Sequence, residues 1–182
     1  MKKINLKAGE HPIFDRLKTG RAAVCGLGVS NIPLVHFLLD MGIAVTARDK
    51  KPADQSDAEV LALADMGAKL ILGEGYLDGL DEDVIFRTPG MRPDLPEFCA
   101  AVDRGALITS EMELFFEMTP ATIIVITGSD GKTTTTTLTY KMLEAEFARG
   151  GESKVWVGGN IGEPLLPRVY EMTERDYAVV EL

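Results

Sequence analysis

The sequence predicts the α/β class, with parallel sheets and two domains in one chain. Apolar runs of strand length alternate with amphipathic segments of helix length, which is typical of a parallel sheet covered by helices. Two glycine-containing turns, "CGLGVSN" and "GSDGKT", each follow a predicted strand and lead into a predicted helix. Between them, the segment "TPAT" at Thr119–Thr122 interrupts the alternation and predicts a joint between domains.

The elements predicted for the first domain follow one another closely. The strands are Arg21–Gly26, Ile43–Asp49, Ala68–Glu74, Asp83–Gly90 and Ala106–Ser110, and the helices are Ser30–Gly42, Ser56–Gly67, Leu95–Gly105 and Glu111–Met118. Ser56 and Glu59 have the spacing of a capping box at the start of their helix. In the last helix, Leu114, Phe115 and Met118 can share one face.

Residues 1–118 are therefore predicted to form one domain, and residues 119–182 the start of a second. The second begins with a strand at Ile123–Thr127 and continues with the glycine turn, a long helix, the strand in "SKVWVGGNIG" and a strand at Asp176–Leu182. A chain usually ends free at the surface, whereas this sequence ends in a hydrophobic strand, and its second domain has few strands. We therefore expect a fragment with one complete domain and part of another.

Composition and charge exclude several classes of function. The 182 residues are 46% apolar and 26% charged, as in ordinary globular proteins. A net charge of −9 disfavours nucleic acid and anionic membranes as partners, so any phosphate site must be built locally. Cys25 and Cys99 have no redox or metal-binding spacing and are expected to be reduced thiols. Because the sequence shows neither a signal peptide nor a membrane-spanning run, we expect a cytoplasmic protein.

A shortened phosphate-binding loop is predicted in "VITGSDGKTTTTTL", residues Val125–Leu138. The usual pattern, G-x-x-x-x-G-K-[ST], would need a glycine at Ile126, which we expect to be a buried strand residue. A shorter G-x-x-G-K-T runs from Gly128 to Thr133. Its glycines let backbone N–H groups approach phosphates, and the helix N-terminus adds partial positive charge. Lys132 can reach the phosphates and the Thr133 hydroxyl can bind Mg²⁺; the alternative is an ordinary strand-to-helix turn.

A second anion site is predicted at "CGLGVSNIP". Gly26 and Gly28 begin a dinucleotide fingerprint, and Ser30 can cap the following helix. Asn31 replaces the third glycine of that fingerprint, which disfavours NAD as the ligand. Asp49 ends the next strand, where it can bind a ribose, or equally another sugar or a base.

The fourth predicted strand ends in "RTPG", which includes Thr88, Pro89 and Gly90. Open α/β sheets bind ligands at the carboxyl ends of their strands, so this segment, Gly26–Ser30 and Asp49 should all line one edge. From the residues alone, an ordinary turn is the preferred interpretation of Thr88–Gly90.

Taken together, these stretches resemble the Mur ligases over essentially the whole chain. The resemblance rests on the order of "GLGVSN", "TARDKK", "RTPGMRP", "TSEMELF", "VITGSDGKTTTTTL", "GGNIG" and "VVEL". The short phosphate loop is the version that this family uses, and its combination with "GGNIG" is specific. The resemblance implies a Rossmann-like first domain that holds a UDP moiety, a P-loop-type central domain that binds ATP, and a third domain beyond Leu182.

The resemblance also implies a reaction. It is that of an ATP-dependent amide ligase of peptidoglycan precursor synthesis, with Mg²⁺ as the metal. ATP would phosphorylate the carboxylate of UDP-N-acetylmuramoyl-L-alanine, and D-glutamate would then attack the acyl phosphate. The full-length enzyme would be a monomer, and the chain as given would lack part of the site and would not turn over.

Roles for individual residues follow from the resemblance by position. The residues implied to bind ATP are Gly128, Ser129, Asp130, Gly131, Lys132, Thr133 and Thr134. Those implied for the UDP-containing substrate are Gly28, Val29, Ser30, Asp49, Lys50, Thr88, Pro89, Gly90 and Asn160. The implied Mg²⁺ ligands are Thr133 and Glu181, and the implied catalytic residues are Lys132, Asn160 and Glu181.

Two departures from the family and several alternatives remain. Asp130 stands where many relatives carry asparagine, and Glu144–Gly159 is longer than the usual connection. A nucleotide-binding module without ligase activity is one alternative, although Asn31 and the short loop count against it. A P-loop kinase is disfavoured by Ile126, and another Mur ligase or a glutamate-adding folate ligase is disfavoured by the features of the first domain.

Overall fold

The computed structural model describes residues 11–18, 20–148, 150 and 152–182, and these form two compact units. The first unit ends at Leu114 and the second runs from Phe115 to Leu182. This division lies within one helix, whereas the sequence predicts a boundary after Met118; that boundary stays a prediction. Residues 1–10 and parts of Glu144–Gly159 lie outside the described residues. The expectation that the N-terminus is not a signal peptide, and that of a longer connection at Glu144–Gly159, concern these segments.

Strands and helices alternate in the first unit, and all of its paired strands are parallel. The strands are β1 (Ala22–Cys25), β2 (Val45–Asp49), β3 (Lys69–Leu72), β4 (Val84–Arg87) and β5 (Leu107–Thr109). The helices are α1 (Pro12–Leu17), α2 (Asn31–Asp40), α3 (Ala58–Asp65), α4 (Pro96–Asp103) and α5 (Glu111–Met118), and a 3-10 helix spans Ala53–Gln55. The predicted α/β class is confirmed, and α1 and the 3-10 helix are additions that the sequence pattern did not predict.

The strand order reverses direction between β1 and β4. The sheet has the order β3–β2–β1–β4–β5. Strands β2 and β3 lie on one side of β1, and β4 and β5 lie on its other side. In open α/β sheets, ligands bind in the crevice at such a switch point, outside the carboxyl ends of the strands. The turns after β1 and β4 therefore lie where a ligand is expected.

The core of the first unit surrounds its central strands. Every residue of β1 is fully buried, as are Val84, Ile85 and Phe86 of β4. Phe98 and Ala101 of α4 pack on one face, against Cys25 and Ile85. Strands buried on both faces have continuous apolar sequences, which explains why these two runs are readily recognised.

Two predicted helix caps are absent from the described residues. Helix α3 begins at Ala58 with Asp57 at its N-cap, and the Ser56 hydroxyl instead donates to the carbonyl of Pro52 at 2.9 Å. Ser30 occupies the N-cap of α2, but its side chain caps none of the described N–H groups. Its backbone is already helical, with φ −85° and ψ −31°, whereas a capping side chain needs an extended backbone.

A buried ion pair connects β2 to the segment between β3 and β4. Arg48 Nη2 lies 3.1 Å from Glu82 Oε1, and both side chains are 2% exposed. The other arm of the guanidinium donates to the carbonyls of Tyr76 at 3.1 Å and Asp78 at 3.0 Å. Arg48 therefore holds this segment beside Asp49, its own neighbour in the chain.

The second unit contains a three-stranded parallel sheet in the order β6–β8–β7. Its strands are β6 (Thr122–Ile126), β7 (Val155–Gly159) and β8 (Tyr177–Glu181). Helix α6 (Lys132–Phe147) follows the glycine turn, and a second 3-10 helix spans Leu166–Glu171. The strands and the long helix predicted for this region are confirmed.

One face of this sheet is turned to the second 3-10 helix. An added Cβ at Gly158 of β7 would lie 2.5 Å from Leu165 Cγ, and Gly158 pairs with Val180 of β8. On the same face, Trp156 is 8% exposed, its Nε1 lies 3.5 Å from Asp176 Oδ2, and the Arg168 guanidinium lies 4.7 Å from its ring centroid.

The opposite face of β8 is turned to α6. Tyr177 stacks on Phe147 at the end of α6, with the ring centroids 5.2 Å apart. Side chains alternate along a strand, so Val179 and Glu181 face α6 as well. The carboxylate of Glu181 therefore lies on the side of the sheet where the glycine turn enters the helix.

The expected burial of Ile126 is wrong, because this residue is only half-buried. Strand β6 pairs with β8 alone among the described strands and lies at the edge of the sheet. The neighbouring Val125 is 44% exposed. Separately, no helix in the described part of the chain is long and apolar enough to cross a membrane.

We expect Glu82→Gln to lower the free energy of unfolding of the first unit by about 3 kcal/mol, because it leaves the buried Arg48 charge without a counter-ion. Hydrogen exchange of the β1 and β2 amides measures this change within the unit. Asp81→Asn is the matched control, since its ion pair with Arg21 is exposed on both sides. Equal effects of the two substitutions would contradict the role of the buried pair.

Candidate functional site

The turns after β1 and β4 are in direct contact at the switch point. An added Cβ at Gly26 would lie 2.6 Å from Thr88 Cγ2 and 3.5 Å from Met91 Cε. Gly26 also has φ +86°, a backbone conformation that residues with a side chain rarely adopt. The backbone N–H of Thr88 donates to the carbonyl of Cys25 at 3.3 Å. Glycine is thus required here both by space and by conformation.

Asp49 joins the same edge from β2. Its Oδ2 accepts a hydrogen bond from the backbone N–H of Leu27 at 2.6 Å, and its Oδ1 accepts one from Lys51 at 2.8 Å. The carboxylate is thereby fixed against the first turn, and each oxygen retains a lone pair for a further donor. The structure thus brings Gly26–Ser30, Asp49 and Thr88 together, as their positions at strand ends predict.

The remaining predicted residues of this edge are open to solvent. Those that are exposed are Gly28, Val29, Ser30, Lys50, Pro89 and Gly90. Val29 is 82% exposed, which is unusual for a branched apolar side chain. In the first turn of α2 the N–H groups of Asn31, Ile32 and Leu34 donate to the carbonyls of Gly28 and Ser30. An anion would therefore meet the exposed turn Gly28–Ser30 that precedes the helix, together with the partial positive charge of the helix N-terminus.

Asn31 holds the first turn in shape from within. Its side chain is 4% exposed, and its amide donates to the carbonyls of Gly26 at 2.8 Å and Cys25 at 3.4 Å. A glycine at this position could not make these bonds. Asn31, which replaces the third glycine of the dinucleotide fingerprint, therefore stabilises the turn, and its amide is engaged by backbone carbonyls.

Two residues at this edge were missed by the analysis of the sequence. Arg87 ends β4, and its guanidinium donates to the carbonyls of Met91 at 2.9 Å and Thr88 at 3.3 Å, so it braces the second turn. Tyr76 packs on the core cluster that contains Cys25 and Phe98. Burial is the largest cause that raises the pKa of its phenol, and the negative charge of Asp49 adds to the effect. The position of Arg87 at the carboxyl end of a predicted strand was the one feature of the sequence that could have indicated its role.

The glycine turn of the second unit has two glycines with positive φ between β6 and α6. Gly128 and Gly131 have φ +152° and +73°, and Gly131 is the N-cap of α6. The Lys132 ammonium donates to the carbonyl of Gly128 at 2.8 Å, which closes the loop on itself. Exposed residues of the loop and the helix start are Gly128, Ser129, Asp130, Gly131, Thr133 and Thr134.

The carboxyl end of β8 lies between this loop and "GGNIG". The backbone N–H of Leu182 donates to Ile126 at 2.9 Å, and that of Asn160 donates to Glu181 at 3.0 Å. An added Cβ at Gly159 would overlap the carbonyl oxygen of Glu181. The structure therefore brings Lys132, Asn160 and Glu181 to one edge of the second sheet, with the Asn160 side chain exposed.

Glu181 has the properties of a metal ligand. Its side chain is 4% exposed, and its Oε2 has no hydrogen-bond partner among the described residues. A buried carboxylate oxygen without a partner is costly, and a bound cation removes that cost. Mg²⁺ prefers oxygen ligands and keeps several waters, so Glu181 and the hydroxyl of Thr133 fit it chemically. No larger cluster of His, Cys, Asp and Glu occurs within the described ranges.

Comparison with known sequences finds similarity to the Mur ligases. Residues 126–182 match the Mur ligase middle domain, and this segment carries the glycine turn and β8. The chain is thus a relative of the Mur ligases, and the resemblance inferred from its motifs is confirmed.

The individual matches extend over almost the whole chain. The UDP-N-acetylmuramoylalanine--D-glutamate ligase of Clostridium botulinum (strain Kyoto / Type A2) is 52% identical over 178 residues, which are 97% of this chain and 38% of the relative. The ligase of the same name from Clostridium novyi (strain NT) is 50% identical, over 92% of this chain and 36% of the relative. A murein peptide ligase structure from Psychrobacter arcticus 273-4 superimposes with a TM-score of 0.48 at 18% identity, covering 89% of this chain and 37% of that one.

The chain spans only 36–38% of the length of these curated relatives. Their names apply to whole proteins, so the activity is taken up below as a proposal.

The thiol beside the first turn should be chemically inert. Burial raises the pKa of Cys25 to about 12, and the charge of Arg48 offsets this only in part. We expect iodoacetamide at pH 9 to modify the exposed Cys99 and to leave Cys25 unmodified until the protein is unfolded, as mass spectrometry of peptides would show. Because its pKa is raised on folding, the stabilisation from Cys25 is complete below about pH 9 and is lost as the pH approaches 12. Equal rates of iodoacetamide modification of Cys25 and Cys99 in the folded protein would contradict the expected inertness of Cys25.

Proposed function

We propose that this chain is the UDP-binding and ATP-binding part of a cytoplasmic Mur ligase, one that joins D-glutamate to UDP-N-acetylmuramoyl-L-alanine. One observation carries the proposal: the chain contains both a switch-point crevice and a glycine turn beside the buried carboxylate of Glu181, whose Oε2 has no partner among the described residues. The names of relatives that are 50–53% identical support the choice of substrates. The partners are small molecules rather than nucleic acid or membrane, and the full-length protein acts as a monomer.

In the first unit, the diphosphate of the substrate binds at the start of α2. Backbone N–H groups of Gly28, Val29 and Ser30 and the partial charge of the helix supply the attraction that an acidic chain lacks overall. Asp49 and Lys50 bind the uracil or its ribose through their polar groups. Thr88, Pro89 and Gly90 form the other wall of the crevice, braced from behind by Arg87.

In the second unit, the phosphates of ATP lie in the loop Gly128–Thr134. Lys132 leaves the carbonyl of Gly128 and neutralises the phosphates instead. Thr133 and Glu181 hold Mg²⁺, which, when bound, offsets the charge that builds up as the phosphoryl group meets a carboxylate. Asn160, exposed beside the end of β8, contacts the muramoyl part of the substrate.

Asp130 adds a negative charge to the loop that is proposed to hold the phosphates of ATP, which would repel them. Its side chain is exposed, so solvent screens much of that charge. The proposal therefore requires that Asp130 orient toward solvent or toward Mg²⁺, and not toward the phosphates.

The first-unit site can be tested by calorimetric titration with UDP-N-acetylmuramoyl-L-alanine. We expect binding, a loss of about tenfold or more in affinity for Asp49→Ala, and no binding of NADH. Asp54→Ala is the matched control, since Asp54 is an exposed carboxylate in the nearby 3-10 helix. Binding of NADH in place of the UDP compound would contradict the ligase and favour a dinucleotide-binding module.

The second-unit site can be tested with a non-hydrolysable ATP analogue in the presence of Mg²⁺. Lys132→Ala should weaken binding by about tenfold or more, because it removes a charge-assisted contact to the phosphates. Lys141→Ala removes a lysine from the same helix that pairs with Glu144 on the exposed side, and should leave the affinity unchanged. An equal loss in both variants would indicate nonspecific attraction.

A further inference from the structure

Thr136 is an unexpected residue in helix α6. Among the described residues of α6 it is the one that is buried, with no exposed surface, and its Oγ1 has no hydrogen-bond partner in the described structure. Its neighbours in the threonine run, Thr135 and Thr137, are exposed. Burial of an unsatisfied hydroxyl costs stability, and valine would fill the same space without that cost.

The buried hydroxyl lies on the side of the helix that faces the sheet. Helix α6 packs on β8 and β7, and among its described residues Thr136 is the buried one. Glu181 faces the same helix from β8, as the stacking of Tyr177 on Phe147 requires. Thr136 also follows Thr133 by three residues, which places the two on adjacent turns of one face.

Two unsatisfied buried polar atoms therefore occupy the same layer, between α6 and β8. One is a hydroxyl donor, Thr136 Oγ1, and the other is a carboxylate acceptor, Glu181 Oε2. Native proteins leave few such atoms unpaired, and those that remain commonly belong to sites that a ligand, ion or water completes. Their chemistry is complementary: the two atoms make no direct hydrogen bond with each other, but a single water can accept from the hydroxyl and donate to the carboxylate.

We propose that Thr136 is a positioning residue for the cation site: its hydroxyl donates toward Glu181 through one ordered water and fixes the carboxylate that holds Mg²⁺. This inference rests on the proposed function of the phosphate loop. Residues that orient a metal ligand from behind typically change metal affinity by 10–100-fold when they are replaced. The hydroxyl should therefore affect the metal-dependent part of nucleotide binding and nothing else.

The test compares the affinity of a non-hydrolysable ATP analogue in Mg²⁺ with its affinity in EDTA. For Thr136→Val, we expect the Mg²⁺-dependent gain in affinity to fall on the order of tenfold, with the affinity in EDTA unchanged. Thr136→Ser keeps the hydroxyl and should retain the gain. Thr137→Val makes the same chemical change at an exposed position of the same helix and should behave as the original protein. The melting temperature of the metal-free Thr136→Val protein should be equal or higher, because a buried unpaired hydroxyl has been removed.

The possible results separate the two proposals. A Thr136→Val protein with an unchanged Mg²⁺-dependent gain, or with an equal loss in Mg²⁺ and EDTA, would overturn the role of Thr136. A lower melting temperature together with the equal loss would assign the residue to packing alone. If the original protein gains nothing from Mg²⁺, or if Glu181→Gln retains the gain, the proposed metal site itself is wrong and the inference is lost with it.

Discussion

Parallel pairing is the constraint on which both candidate sites depend. When neighbouring strands run the same way, all their carboxyl ends, and the turns that follow them, are brought to one edge. In the first sheet this brings Gly26, Asp49 and Thr88 together although they are distant in sequence. In the second sheet the register pairs Glu181 with both Ile126 and Gly159, so the glycine turn after β6 and "GGNIG" flank one carboxylate. Neither site needs a long-range charge field, which an acidic chain could not provide.

The glycines of these edges serve distinct purposes. Gly26 is required because the turn after β4 leaves no room for a Cβ, and Gly131 because the backbone at the N-cap of α6 is left-handed. Around them, polar side chains fix the turns by bonding to backbone carbonyls: Asn31 from the helix, Arg87 from β4, and Lys132 within the loop itself. The turns at both sheet edges are thus held in shape by side-chain hydrogen bonds to the backbone, without a contribution from a ligand.

Much of the fold could be predicted because apolar periodicity reports burial directly. The strands of both units, the helices α2 to α6, and the shared buried face of Leu114, Phe115 and Met118 follow from it, whereas α1 and the 3-10 helices do not. Predictions failed where a residue type has several possible partners. Ser56 fits a capping box but bonds to Pro52, and Ser30 has the position of a cap without its backbone. The motifs indicate candidate site residues at the sheet edges. No pattern could show that Glu181 Oε2 has no partner among the described residues, or that Arg48 and Glu82 pair in the core.

The single tryptophan of the chain lies in the second unit, enclosed against Asp176 and the Arg168 guanidinium. Indole emission is sensitive to nearby charge and to water. The first unit contains no tryptophan and one tyrosine, Tyr76. Trp156 is therefore a built-in optical reporter for one unit. When excited at wavelengths that tyrosine does not absorb, it follows the folding of the β6–β8–β7 sheet separately from that of its neighbour, without any label.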